Sequence, residues 1–80
     1  MEDKDVLRRI EALVAEEHDL LNKRSEGTIG AEGHQRLEEL QVNLDQCWDY
    51  LRQRRAARES GLEPDSASVR SGATVERYQQ

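Results

Sequence analysis

Apolar residues near the start of the chain recur at the spacing of an amphipathic helix. They are Val6, Leu7, Ile10, Leu13, Val14, Leu20 and Leu21. At about 100° per residue these side chains occupy one arc of about 140°. Asp3 is placed to cap the start of the helix, and Gly27 offers the left-handed position at which a helix often ends. The pattern predicts a first helix over residues 4–24.

A second apolar series has the alternating three- and four-residue spacing of a coiled-coil seam. It consists of Leu37, Leu40, Leu44, Cys47 and Leu51. Trp48 lies beside this seam. In "ARESGLEP", Gly61 suits a left-handed terminating position, and Pro64 prevents the helix from continuing. We predict a second helix over residues 31–60, packed antiparallel to the first because the connection between them is short.

The end of the chain, "EPDSASVRSGATVERYQQ", has no sustained apolar period. Only Val69, Val75 and Tyr78 are available to anchor it. We therefore expect residues 63–80 to form a flexible, loosely ordered C-terminal tail. The tail would follow an all-α domain over residues 1–62, a two-helix antiparallel hairpin.

One hairpin on its own leaves much of both apolar arcs exposed to water. Pairing two hairpins into a four-helix bundle would bury both arcs and close the assembly by two-fold symmetry. We therefore expect a homodimer, with Leu13, Leu44 and Leu51 in the shared core.

Composition and charge narrow the classes of function. Charged residues make up 36% of the chain and hydrophobic residues 35%, with no Phe, which suits exposed helices better than a large globular core. The net charge of −5 argues against general nucleic-acid binding. The N-terminal "MEDKDVLRR" lacks the apolar segment of a signal peptide, and no apolar run approaches the ~18 residues of a membrane span. We expect a cytoplasmic protein with no membrane association.

Four arginines lie close together near the end of the second helix. They are Arg52, Arg54, Arg55 and Arg58. In an antiparallel hairpin they lie beside the acidic residues Glu2, Asp3 and Asp5, which predicts an intramolecular network of ion pairs. The alternative is a nucleic-acid-associated protein that uses these arginines, although the carboxylates among them weaken the positive field.

Spacing along the second helix predicts two further ion pairs, Arg55–Glu59 and Asp49–Arg52. Trp48 is interpreted as a core-edge or interface residue. It lies one turn before Arg52, and this spacing allows a cation–π contact between the two side chains.

Tryptophan and arginine are also the residues most frequent at binding hot spots. The predicted interaction surface therefore consists of Trp48, Arg52, Arg55 and Arg58. Cys47, in the seam, is interpreted as a small apolar residue rather than a nucleophile.

Glu17 lies in the middle of the apolar arc, where a carboxylate conflicts with the pattern. With His18 at the arc's edge and His34 at the same level across the turn, it predicts a polar layer in the seam, which can fix register and oligomeric state. Nitrogen and oxygen ligands also suit zinc, but no His-x-x-x-His or Glu-x-x-His pair is present. We therefore predict no metal and no other cofactor.

No phosphate-binding glycine loop, nucleophile elbow or paired-cysteine motif is present. We therefore predict that the protein is not an enzyme. The expected function is that of a small helical interaction protein, acting by self-association or by docking on a partner helix.

The segments "RIEALVAEEHDL", "RLEELQVNLDQCWDYLRQRRAARESGLEPDSASVR" and "VERYQQ" together resemble a family of short, mostly actinobacterial proteins, domain-of-unknown-function family 2630. The resemblance covers nearly the whole chain, and "LDQCWDYLRQRRAARE" is its most specific part. Gly30 and Gly33 depart from the family pattern, in which a capping residue and an acid are expected. The resemblance implies no activity, cofactor or catalytic residue.

Overall fold

Three α-helices and one 3₁₀ turn are present in the computed structural model, which describes residues 2–79 and their side chains except at 66, 74 and 77–79. Helix α1 spans Asp3–Glu26, α2 spans Ala31–Glu59, the 3₁₀ turn spans Pro64–Ser66, and α3 spans Gly72–Gln79. The predicted all-α class is confirmed. The predicted bounds of the first two helices, 4–24 and 31–60, lie within two residues of those observed.

Helix α1 begins at Asp3, one residue earlier than predicted, so the cap lies at Glu2 rather than at Asp3. Glu2 is the N-cap residue, and its backbone N–H donates to Oδ2 of Asp5 at 3.2 Å. This leaves the carboxylate of Asp3 available for a contact outside its own helix. At the other end Gly27 has a φ of +76°, the left-handed conformation that the sequence predicts there.

The core lies between α1 and α2, which run antiparallel. Its most buried members come from both helices, and they are Val6, Ile10, Leu13, Leu40, Leu44, Cys47 and Tyr50. The predicted seam is thus largely confirmed, with two differences. Leu51 is only half-buried, and Tyr50, outside the predicted seam, is 8% exposed because it faces both α1 and the tail segment.

The segment expected to form a loosely ordered tail contains a 3₁₀ turn and a helix in the structure. The 3₁₀ turn and α3 both pack on α2, and Val75 is only 1% exposed. A Cβ on Gly72 would lie 2.6 Å from Cγ1 of Val42, so the two helices approach closely there. A helix of eight residues is too short to show an apolar period and depends on such tertiary contacts.

The other two expected anchors of the tail differ from Val75. Val69 is 61% exposed and therefore contributes little burial. The side chain of Tyr78 lies outside the described ones.

Gly33 allows the loop between α1 and α2 to close over the first turn of α2. A Cβ on this residue would lie 2.5 Å from Cγ1 of Ile29 and 3.7 Å from Cδ2 of Leu20. The absence of a side chain at Gly33 therefore makes space for the side chain of Ile29.

Candidate interaction surfaces

The basic end of α2 is largely neutralised within the chain. Arg54 is only 6% exposed, although it carries a full charge. Its Nε donates to Oδ1 of Asp3 at 2.5 Å, and its Nη1 donates to Oδ1 of Asp65 at 3.1 Å. The guanidinium also lies 5.9 Å from the centre of the Tyr50 ring. Arg54 thereby joins α1, α2 and the 3₁₀ turn.

Asp3 is the acidic residue at which two arginines of α2 converge. Besides the bond from Arg54, its Oδ2 accepts a hydrogen bond from Nη2 of Arg58 at 2.8 Å. Hydrogen bonds from Arg58 and Arg54 hold the pKa of Asp3 below its ordinary value, and the bond to Asp3 raises the pKa of Arg54. The predicted charge network therefore exists, although neither Glu2 nor Asp5 pairs with these arginines in the described part of the chain, since the two form the N-terminal cap.

The two remaining arginines of the predicted interaction surface are exposed. Nε of Arg55 donates to Oε1 of Glu59 at 3.0 Å, as the spacing predicts. Arg52 has no ion pair among the residues that the structure describes. The expected Asp49–Arg52 pair is wrong, because Asp49 faces the tail segment rather than Arg52.

Asp49 is a buried acid that holds the tail segment on α2. It is 7% exposed, lies 3.2 Å from Nε of Arg70, and accepts a hydrogen bond from Nε2 of Gln53 at 2.9 Å. Gln53 also donates to the carbonyl of Ser68 at 2.7 Å, and Gln46 to that of Arg70 at 3.1 Å. The sequence does not predict these contacts of Gln46, Asp49 and Gln53 with the tail segment. Their only sequence signal is their spacing, which places the three polar side chains on one face of α2.

The predicted polar layer is not assembled in the chain. Glu17 is half-buried, whereas His18 and His34 are both exposed, and no hydrogen bond joins them among the described residues. No group of three metal-ligating side chains occurs in the described part of the chain.

The polar contact between α1 and α2 is made one residue earlier, by Glu16. Its carboxylate accepts from Nε and Nη2 of Arg36 at 2.5 and 2.9 Å. This bidentate contact holds the pKa of Glu16 below its ordinary value. Glu17 and Glu16 are adjacent, so the sequence indicated the right turn of α1 but the wrong side chain.

Three large apolar side chains remain exposed on the two long helices. Leu7 is 45% exposed, Val14 39% and Trp48 44%. With the half-buried Leu51 they define what we call the apolar stripe. Leu13 and Leu44, expected in a core shared between two copies, are already buried within the single chain, at 8% exposure each.

Helical geometry places the stripe on one side of the hairpin. The Glu16–Arg36 pair marks one flank of the α1–α2 contact. At about 100° per residue, Val14 lies about 160° from Glu16 on α1, and Trp48 lies about 120° from Arg36 on α2. On each helix the buried leucines lie between these positions, so Val14 and Trp48 share the opposite flank.

No helix in the described part of the chain is both long and apolar enough to cross a membrane. No solved structure matches the chain.

Comparison with known sequences gives a consistent result along almost the whole chain. The sequence model of one family, described as "Protein of unknown function (DUF2630)", matches residues 2–80. An uncharacterised protein of Mycobacterium tuberculosis is 46% identical over 77 residues, which cover 95% of this chain and 88% of the relative. An uncharacterised protein of Mycobacterium bovis matches with the same identity and coverage.

Proposed function

The chain belongs to this family of unknown function, and we propose that it is a helical interaction module that pairs with a second copy of itself through the apolar stripe. The observation that carries the proposal is the exposure of Leu7, Val14 and Trp48 on one flank of the hairpin. Removing apolar area from water stabilises association by roughly 25 cal/mol per Å². Trp48 is the expected centre of the interface, because tryptophan dominates binding hot spots.

The distribution of charge along α2 supports a second copy as the occupant. The first half of the helix carries Glu32, Glu38 and Glu39, and the second half carries the arginines. Two α2 helices packed antiparallel about a two-fold axis beside Trp48 bring opposite charges together.

Such an axis places Arg52 of one copy near Asp45 of the other. Arg52 is exposed and has no ion pair among the described residues. Asp45 faces Glu76 of its own chain, and this neighbour raises the pKa of Glu76. A partner's arginine would therefore offset the repulsion between these two carboxyl groups when both are ionised.

The nucleic-acid alternative has less support from the geometry. Arg54 and Arg58 are committed to Asp3, and Arg55 is paired with Glu59. Among the described residues, only Arg52 of the four arginines has no acidic partner, whereas phosphate binding depends on several free cations.

Sedimentation equilibrium over a range of micromolar concentrations tests the proposal. We expect a reversible dimer for the parent protein and a monomer of unchanged helicity for Trp48→Ser. Leu62→Ser is the matched control, because Leu62 is 61% exposed but lies outside the stripe. A parent protein of one-chain mass at every concentration would contradict the proposal.

A charge exchange tests the orientation of the two copies. Arg52→Asp should weaken the dimer, and Asp45→Arg combined with it should restore association. Arg8→Asp makes the same charge change on an exposed residue away from the stripe, so it should leave the dimer intact. If all three variants associate equally, the antiparallel arrangement of α2 is refuted.

A further inference from the structure

A cavity of about 260 Å³ opens between α1, α2 and the segment that leads to α3. Much of its wall is apolar, formed by Val6, Cys47, Tyr50 and Val69. The first three of these are buried, at 1%, 8% and 8% exposure, so the cavity is a groove that lies over the core, and Val69, at 61% exposure, offers the largest accessible apolar side chain in its wall.

The cavity lies on the flank opposite the apolar stripe. Arg9 lines it on α1, about 160° around the helix from Leu7. Tyr50 lines it on α2, also about 160° from Trp48. A molecule in the cavity and a second chain on the stripe would therefore not compete for the same surface.

Two polar side chains at the cavity are available to a ligand. Arg9 is exposed and has no ion pair or hydrogen bond among the described residues. Asn43 is half-buried, and its amide likewise makes no hydrogen bond within the described part of the chain. Gln46, the third polar group of the lining, already donates to the carbonyl of Arg70.

We propose that this cavity binds a small amphipathic carboxylate, with its apolar body against Val69 and the exposed edges of Cys47 and Tyr50 and its carboxylate at Arg9 and Asn43. A guanidinium donates two parallel hydrogen bonds to a carboxylate, and an apolar wall beside it strengthens the attraction. Pockets for drug-sized ligands span roughly 300–1,000 Å³, so a cavity of about 260 Å³ fits a smaller molecule. A medium-chain fatty acid has the required shape and charge.

Titration calorimetry with octanoate tests the assignment, and 1-octanol serves as an uncharged probe with the same hydrocarbon chain length. We expect saturable binding of one octanoate per chain, with octanol binding at least about 10-fold more weakly because it lacks the charge-assisted hydrogen bonds. Arg9→Gln should lower the affinity for octanoate by about 10-fold and leave octanol unchanged. Arg8→Gln is the matched control, since this neighbouring arginine does not line the cavity and should bind octanoate like the parent.

Alkylation of Cys47 gives a second measurement that depends on the cavity itself. Its thiol is the only one in the chain and lines the cavity, so bound octanoate should slow its reaction with iodoacetamide. Equal affinity of Arg9→Gln and the parent would overturn the proposal, as would octanoate binding that leaves the alkylation rate unchanged. Trp48→Ser should still bind octanoate; loss of binding in that variant would place the ligand on the stripe and also overturn the proposal.

Discussion

Replacement of Val75 by Ala tests whether α3 is docked on α2. The side chain is 1% exposed, and the substitution removes two methyl groups from that contact. At about 0.8 kcal/mol for each buried methylene-sized group, with a further cost for the cavity left behind, we expect a loss of roughly 2 kcal/mol of docking free energy. Since each 1.4 kcal/mol is a factor of ten, the amide hydrogens of α3 should exchange roughly 30-fold faster than in the parent.

Val69→Ala is the matched control, because Val69 lies in the same segment but is 61% exposed. It should change stability by no more than about 0.5 kcal/mol. Hydrogen exchange followed residue by residue measures both variants. If Val75→Ala and Val69→Ala exchanged at the same rate across α3, the docked arrangement of the tail segment would be refuted.

For three further substitutions the structure predicts the direction of the change in stability. Replacing a helical glycine by alanine usually raises stability by up to about 1 kcal/mol, but Gly33→Ala should instead lower it by about 0–2 kcal/mol, measured by thermal melting, because the new Cβ meets Ile29. In an Ile29→Ala background the same substitution should raise stability. The neighbouring Asp45 carboxyl and burial raise the pKa of Glu76, so the protonated form that stabilises the fold is lost as the pH rises. Glu76→Gln should therefore be more stable than the parent at about pH 7 and as stable as the parent below about pH 4. The pKa of Asp3 is lowered, so its contribution to stability is present at neutral pH and lost on acidification. Asp3→Asn should melt below the parent at about pH 7, and the difference should shrink as the pH falls below about 4. A Glu76 variant less stable than the parent at neutral pH, or an Asp3 variant with an unchanged melt, would contradict the corresponding assignment.

The two long helices were predictable because their signals are local and repeated. Five seam residues at alternating spacing define α2 over many turns, and Gly27 and Gly61 mark helix ends by adopting positive φ. The helix α3 gives no such signal. Its buried residue Val75 and the close approach of Gly72 to Val42 are contacts with α2, so they become visible only in the folded structure.

The charged contacts were predictable in location and less so in detail. The antiparallel register correctly brings the arginines of α2 to the acidic N-terminus, but the choice of Asp3 over its neighbours depends on capping geometry. In the same way Glu16, and not Glu17, reaches Arg36, because one residue turns a side chain by about 100°. The apolar pattern therefore predicts which turns of the two helices lie side by side, but it does not predict which charged residue of a turn makes the contact.

A cluster of arginines in a sequence does not by itself indicate a partner. Arg54, in the middle of the densest cluster, is buried and binds two acids of its own chain, so its charge stabilises the fold. The arginines that indicate recognition are those left uncompensated beside an apolar surface. Arg52 lies next to the apolar stripe, and Arg9 lies at the cavity on the opposite flank. Because an acidic chain repels anions at a distance, a ligand carboxylate depends on such a local cation, and affinity for octanoate should therefore fall with added salt more steeply in the parent than in Arg9→Gln.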